Sequence, residues 1–270
     1  MSQVCRWIGL NRSSVYRRSA ESKERAESAD NRDLLRIIKN LCRMYPTYGH
    51  RRIWAILRHR YRIEFNLKRV HRLMQKAGLQ VRQKQRFPHR RLATGIVHVQ
   101  ESDRRWAIDL TKIYCGRDGW GSLIAIIDCC DREIIGYRFS LHGRAVEAVD
   151  ALGMAMASRF TQGHKAPKEL EIIHDNGSIF LAKRFMSETK FFGIQQRFIP
   201  PRAPENNGMI ERFFRTIKEE CVWQQSFDSF VQAEKAIIAW IKFYNAERIH
   251  SALGYKSPVE FRQTLRKLVA

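Results

Sequence analysis

The sequence predicts an α/β protein in which a basic, all-α N-terminal region precedes a mixed β-sheet flanked by helices. Three observations carry this expectation. Charge is spread unevenly along the 270 residues, apolar side chains recur at helical spacing before residue 80, and strand-like runs begin near residue 105 and later alternate with helical ones. At roughly 150 residues per domain the length suits two domains.

Of 49 Lys and Arg against 27 Asp and Glu, 24 basic and 6 acidic residues precede residue 101, so this third carries +18 of the net +22. Between Leu34 and Gln100 the only acid is Glu64. Such a stretch cannot pair its cations internally, and a polyphosphate is the expected partner. No run approaches the roughly 18 apolar residues of a spanning helix, and MSQVCRWIGLNR is charged where a signal peptide is apolar. A soluble intracellular protein with no membrane partner is expected. Cys5, Cys42, Cys115, Cys129, Cys130 and Cys221 form no C-x-x-C pair, which suits reduced structural thiols.

Leu34, Ile37, Ile38 and Leu41 predict a first helix over 34–42, and Ile53, Trp54 and Leu57 mark a second after Pro46 and Gly49. The third starts at a cap residue, Asn66, carries Val70, Leu73, Met74 and Ala77, and stops at Gly78. Arg51, Arg52, Lys68, Arg69, Arg72 and Lys76 lie outside the apolar stripes. Helix, short turn and basic helix is the arrangement a helix-turn-helix offers to a DNA major groove, although three helices packed without a partner would read alike. Residues 1–32 hold a shorter helix-turn-helix pattern and a mixed-charge linker, 33–81 the main helix-turn-helix, and 82–100 a basic connector.

Strand-forming runs then follow as RWAIDLTKIYC, GSLIAIIDCC and EIIGYRFS, with turn glycines at 116, 119 and 121. Ala145 to Phe160 reads as a helix, ELEIIHDNG as a strand ending at Asn176 and Gly177, LAKRFMSETKFFG as a helix and IQQRFIP as a strand. Asp109 interrupts a strand, where Asp is disfavoured, and Asp175 ends one. Each alone has an ordinary explanation in solvent exposure or turn chemistry. A third carboxylate, Glu211, opens a helix bearing Ile210, Phe213, Phe214 and Ile217, where it neighbours Arg215 and Lys218 on the adjoining face. An i,i+4 ion pair of Glu211 with Arg215 is one expectation for that face. Asp128 and Asp131 suit a turn. Phe230, Ala233, Ile237, Trp240, Ile241 and Tyr244 predict a C-terminal helix, and Ser257, Pro258 and Glu260 the start of another.

Thirty-five residues separate Asp175 from Glu211, and at this interval the chain resembles the DDE transposases and retroviral integrases. In order, YGHRRIWAIL, LKRVHRLMQKAGL, WAIDLT, HDNGS, PENNGMIERFFRTIK and YNAERIHSALGYKSPVEF look like landmarks of the second-frame transposase of the insertion-sequence three family, spanning about residues 45 to 261. The resemblance implies an RNase H-like catalytic core over 101–225, a C-terminal helical extension over 226–270, and Asp109, Asp175 and Glu211 as catalytic and metal-binding residues. His174 and Arg212 depart from the usual small hydroxyl residues of the family.

Three carboxylates suit two Mg²⁺ ions, or Mn²⁺ as substitute, because phosphodiester attack needs both the attacking and the leaving oxygen stabilised. Asp109 would bridge the two ions. The family further implies cleavage and 3′-OH strand transfer at terminal inverted repeats and a target DNA. Arg215 and Lys218 would contact DNA beside Glu211, unless Lys218 is only solvated. The resemblance also implies homo-oligomers joining two ends, a first-frame partner or frameshifted fusion, and a place in the bacterial cytoplasm with the nucleoid. The alternatives are a non-catalytic DNA-binding regulator with a decayed core, and a structure-specific nuclease or ribonuclease H.

Overall fold

The computed structural model describes residues 31–81, 99–160, 165–199 and 207–269. The expected short helix-turn-helix of 1–32 and the connector of 82–100 fall almost wholly outside the described residues. The chain divides into two compact units at Phe87 and Pro88.

In the first unit, α1 runs through residues 31–44, α2 through His50–His59 and α3 through Leu67–Lys76. Leu34, Ile38 and Leu41 of α1, Ile53, Ile56 and Leu57 of α2, and Val70, Leu73 and Met74 of α3 are buried, as the three-and-four spacing requires. Asn66 caps α3 by accepting from the Lys68 N–H at 2.9 Å. Gly78 takes φ +66° just beyond the helix, and Leu79 N–H returns to Met74 O at 2.9 Å, satisfying carbonyls the last turn leaves free. Trp54 is half-buried and donates from Nε1 to the Phe65 carbonyl at 2.8 Å, tying α2 to the segment that leads into α3.

The second unit is built on a five-stranded sheet of β1 Arg105–Tyr114, β2 Trp120–Asp128, β3 Ile134–Ser140, β4 Glu171–His174 and β5 Gln195–Phe198. Their order is β3-β2-β1-β4-β5. The first three strands pair antiparallel, while β1–β4 and β4–β5 are parallel, the RNase H-like mixed sheet. The parallel pairings need crossovers. These come from α4 Ala145–Arg159 between β3 and β4, and from the short α5 Ser178–Leu181 with α6 Lys183–Phe192 between β4 and β5.

Strand alternation sends side chains to two cores. Trp106, Ile108, Ile124, Ile126 and Ile135 pack with Ala148, Ala151, Leu152 and Ala155 of α4. On the other face Ala107, Ile113, Leu123, Ala125 and Ile127 meet α7 Gly208–Glu220 and α8 Phe230–Ala246 through Ile210, Phe213, Ile217, Ile237 and Trp240. At Gly136 a Cβ would lie 2.1 Å from the Ala151 carbonyl, so a side chain there would push α4 off the sheet.

The last helix, α9 Pro258–Val269, opens with a reciprocal cap: Glu260 accepts from Ser257 N–H at 2.8 Å, and Ser257 Oγ accepts from Glu260 N–H at 3.3 Å. Asp128 takes the turn role its position suggests, accepting backbone N–H bonds from Asp103, Cys130 and Asp131. No helix among the described residues is long and apolar enough to cross a membrane.

Candidate active site

Asp109 has the strand parity of Ala107 and Ile113, which places it on the face that receives α7. Ala107 pairs with Ile173 across the parallel β1–β4 register. That ladder ends there, and Asp175, the first residue after β4, stands close enough beyond it for its charge to act on Asp109. Two carboxylates distant in sequence thus come to the same end of the sheet, where β1 and β4 part.

The third acid arrives on α7. Ile210, Phe213, Phe214 and Ile217 bury one stripe of this helix, which leaves Glu211 exposed in its first turn. Burial, and then the carboxylates of Asp175 and Glu211, push Asp109 up to about 6, against the Leu110 backbone N–H that donates to Oδ1 at 2.7 Å. Partial desolvation also raises Glu211, although its side chain stays open to solvent. The Gly177 N–H donates to Asp175 Oδ1 at 2.9 Å, and a Cβ on Gly177 would stand 2.8 Å from that oxygen. Glycine at 177 therefore leaves Asp175 its room.

Among the described residues none of the three acids forms an ion pair. Arg215 does not turn back to Glu211 but pairs forward with Glu219 at 2.8 Å, because both of these side chains project from the exposed flank of α7. Lys218 lies half-buried on the same helix.

No group of three His, Cys, Asp or Glu side chains among the described residues could hold one metal ion in common. Asp109, Asp175 and Glu211 are the side chains that would hold a divalent cation, which would supply Lewis-acid chemistry there. Hard carboxylate oxygens, mutual repulsion that a divalent cation relieves, and the lack of an ion-pair partner suit Mg²⁺ or Mn²⁺.

In the first unit, Arg51, Lys68, Arg72 and Lys76 are exposed on α2 and α3. Of the same basic set, Arg52 and Arg69 lie against aromatic rings of the unit. The Arg52 guanidinium lies 4.9 Å from the Tyr48 ring centroid, and Arg69 sits 4.5 Å from that of Phe65 while its Nε donates to Asn31 Oδ1 at 2.9 Å.

Asn245 and Arg248 of the C-terminal landmark YNAERIHSALGYKSPVEF are bonded within the second unit. Asn245 exchanges both amide bonds with the backbone of Ile134 on β3, at 2.9 and 2.8 Å. Arg248, nearly inaccessible, grips Glu220 with two bonds of 2.7 Å. His174 is buried beside the Phe180 and Phe198 rings, with Nδ1 2.6 Å from the Asp175 carbonyl.

Sequence reasoning missed Asn207. Its Nδ2 donates to Asp109 Oδ2 at 3.3 Å, although an Asn before the Gly of a helix start signals only a cap.

Comparison with known proteins agrees with this division. A family described as an HTH-like domain matches residues 28–87, and integrase core domain families match 99–204 and 192–258. The chain is 32% identical to "Transposase InsD for insertion element IS2 on F plasmid" of Escherichia coli strain K12, over 97% of this chain and 90% of that one. A second InsD transposase, for insertion element IS2-9 of the same strain, is equally identical, with 88% of its length covered. Among solved structures, the catalytic core of BIV integrase aligns at 18% identity and a TM-score of 0.42, covering 62% of this chain and 97% of that chain. The HTLV-2 integrase catalytic core in complex with magnesium aligns at 17% identity and 0.42, covering 62% and 99%.

Proposed function

The chain belongs to the second-frame transposases of the insertion-sequence three family, DDE enzymes with an integrase core, and from that premise we propose that Asp109, Asp175 and Glu211 form its strand-transfer centre. The substrates are double-stranded DNA: the terminal inverted repeats of the element and the target. Exposed Arg51, Lys68, Arg72 and Lys76 on α2 and α3 neutralise phosphates of the element end, with Arg215 and Lys218 serving DNA beside the core. The carrying observation is the Asp109 carboxylate, held on a strand among two other carboxylates with no counter-cation among the described residues.

When bound, two Mg²⁺ ions, or Mn²⁺ in their place, supply Lewis-acid stabilisation of the attacking and leaving oxygens. The chain's own part is placement. Leu110 N–H and Asn207 Nδ2 each anchor one oxygen of Asp109, Gly177 N–H anchors Asp175, and the packed stripe of α7 fixes Glu211. Remaining lone pairs of these carboxylates are free for cation ligation. Hydrolysis frees a 3′-OH at the element end; this hydroxyl then attacks a target phosphodiester, the new P–O bond forming as the bond to the target's own 3′-oxygen breaks and that oxygen leaves as a 3′-OH, without a covalent protein intermediate.

Joining two ends calls for more than one copy of the chain, and a first-frame protein, separate or as a frameshifted fusion, is the expected companion. The setting is the DNA of a bacterial cytoplasm. The test is strand cleavage and joining on labelled element-end DNA with Mg²⁺ or Mn²⁺, comparing the native chain with Glu211→Gln. Activity lost in the variant while DNA binding survives supports the assignment; equal activity in both removes Glu211 from the mechanism.

A further inference from the structure

Asn207 stands where a cap is expected and does not cap. Asn is a favoured N-cap because its oxygen accepts a backbone N–H of the first helical turn. Here it occupies the N-cap of α7 and makes no such bond. Its Nδ2 donates instead to Asp109 Oδ2 at 3.3 Å, across 98 residues of chain. The side chain is only 5% exposed, and Oδ1 has no hydrogen-bond partner among the described residues.

A buried amide that forgoes its cap and leaves its oxygen unmatched is oriented by the carboxylate. An ionised Asp109 only accepts, so turning the amide over would set oxygen against oxygen. Leu110 N–H already holds the other oxygen of Asp109. With both oxygens anchored, the carboxylate plane is fixed. Asn207 also lies one turn before Glu211, so the same bond fastens the helix bearing the third acid to the strand bearing the first.

We infer that Asn207 is a positioning residue for strand transfer: it holds the plane of the Asp109 carboxylate and sets Glu211 relative to it. This rests on Asp109 being an ion ligand, as proposed above. Removing such an outer partner lowers metal affinity by about 10- to 100-fold.

The test measures Mn²⁺ affinity of the full chain, without DNA, by water-proton relaxation, alongside thermal melting in chelator. Asn207→Ser keeps a good helix cap but is too short to reach Asp109, Asn207→Gln keeps the carboxamide, and Asp109→Asn removes the carboxylate ligand. The expected result is a native-like melt for Asn207→Ser with Mn²⁺ affinity reduced about 10- to 100-fold, partly restored in Asn207→Gln. Native affinity in Asn207→Ser, with loss in Asp109→Asn, overturns the inference and leaves the ligand assignment standing. Native affinity in all three variants overturns both. A Gln variant as weak as Ser overturns the part given to the carboxamide. If Asn207→Ser fails to melt cooperatively, Asn207→Leu, similar in shape but lacking a donor, takes its place with the same two outcomes.

Discussion

At the start of β1, Asp103, Asp131 and Glu133 gather around Arg159, whose fully buried guanidinium lies 3.4, 2.9 and 3.2 Å from them. Arg262 of α9 closes the outer side at 3.6 to 4.0 Å. Further along the same strand Asp109 feels the charges of Asp175 and Glu211, and among the described residues no cation forms an ion pair with it. A chain with 49 Lys and Arg does not lack cations to place there. In the first group burial raises Asp103, Asp128 and Glu133 even beside arginine, and the ion pairs fasten α4 and α9 to the sheet, whereas among the described residues the second group has no such arginine.

Breaking the matched cluster has the largest expected effect. Arg159→Met leaves several buried carboxylates without their partner and is expected to destabilise the second unit by about 3–5 kcal/mol in urea unfolding. Gly177→Ala acts on the unmatched group, since its Cβ collides with the Asp175 carboxylate. Strand cleavage is expected to fall by up to about 100-fold while stability stays within about 0.5 kcal/mol, measured by gel assay and melting. In the first unit, Arg72→Ala is expected to flatten the log–log salt dependence of element-end binding by about 0.9, the share of one phosphate contact, measured by fluorescence anisotropy. The smallest effect belongs to Arg215→Ala. Its exposed pair with Glu219 contributes under about 0.5 kcal/mol, so thermal melting should barely move.

The two groups also differ in how far the sequence revealed them. Local signals were legible: the Asn66 cap, the Gly78 stop, the reciprocal Ser257 and Glu260 cap, and the strands around Asp109 and Asp175 each follow from residues within a few positions. The Arg159 cluster was not, because Asp131 and Arg159 lie 28 residues apart and their meeting depends on how α4 lies over the sheet. Glu211 was visible through its interval from Asp175. Arg215 chooses between two local partners, Glu211 and Glu219, while Asn207 gives up a local cap for Asp109, 98 residues away; tertiary packing decides both.

Asp109 offers the most direct test. An aspartate ordinarily titrates near 3.9, and here the native carboxyl sits at about 6. Between those values the native chain binds more protons than the unfolded one, so this carboxyl makes stability fall as pH rises from about 4 to 6, and the penalty persists above. The measurement is melting of the native chain and of Asp109→Asn from pH 4 to 8, in chelator and again with Mg²⁺. In chelator the variant should match the native chain near pH 4 and exceed it at pH 8, by on the order of 1–2 kcal/mol. Mg²⁺ should then stabilise the native chain and leave the variant nearly unmoved. Superimposed curves at pH 8 in chelator, with Mg²⁺ shifting both proteins equally, would contradict the claim that these carboxylates are left unmatched for a cation.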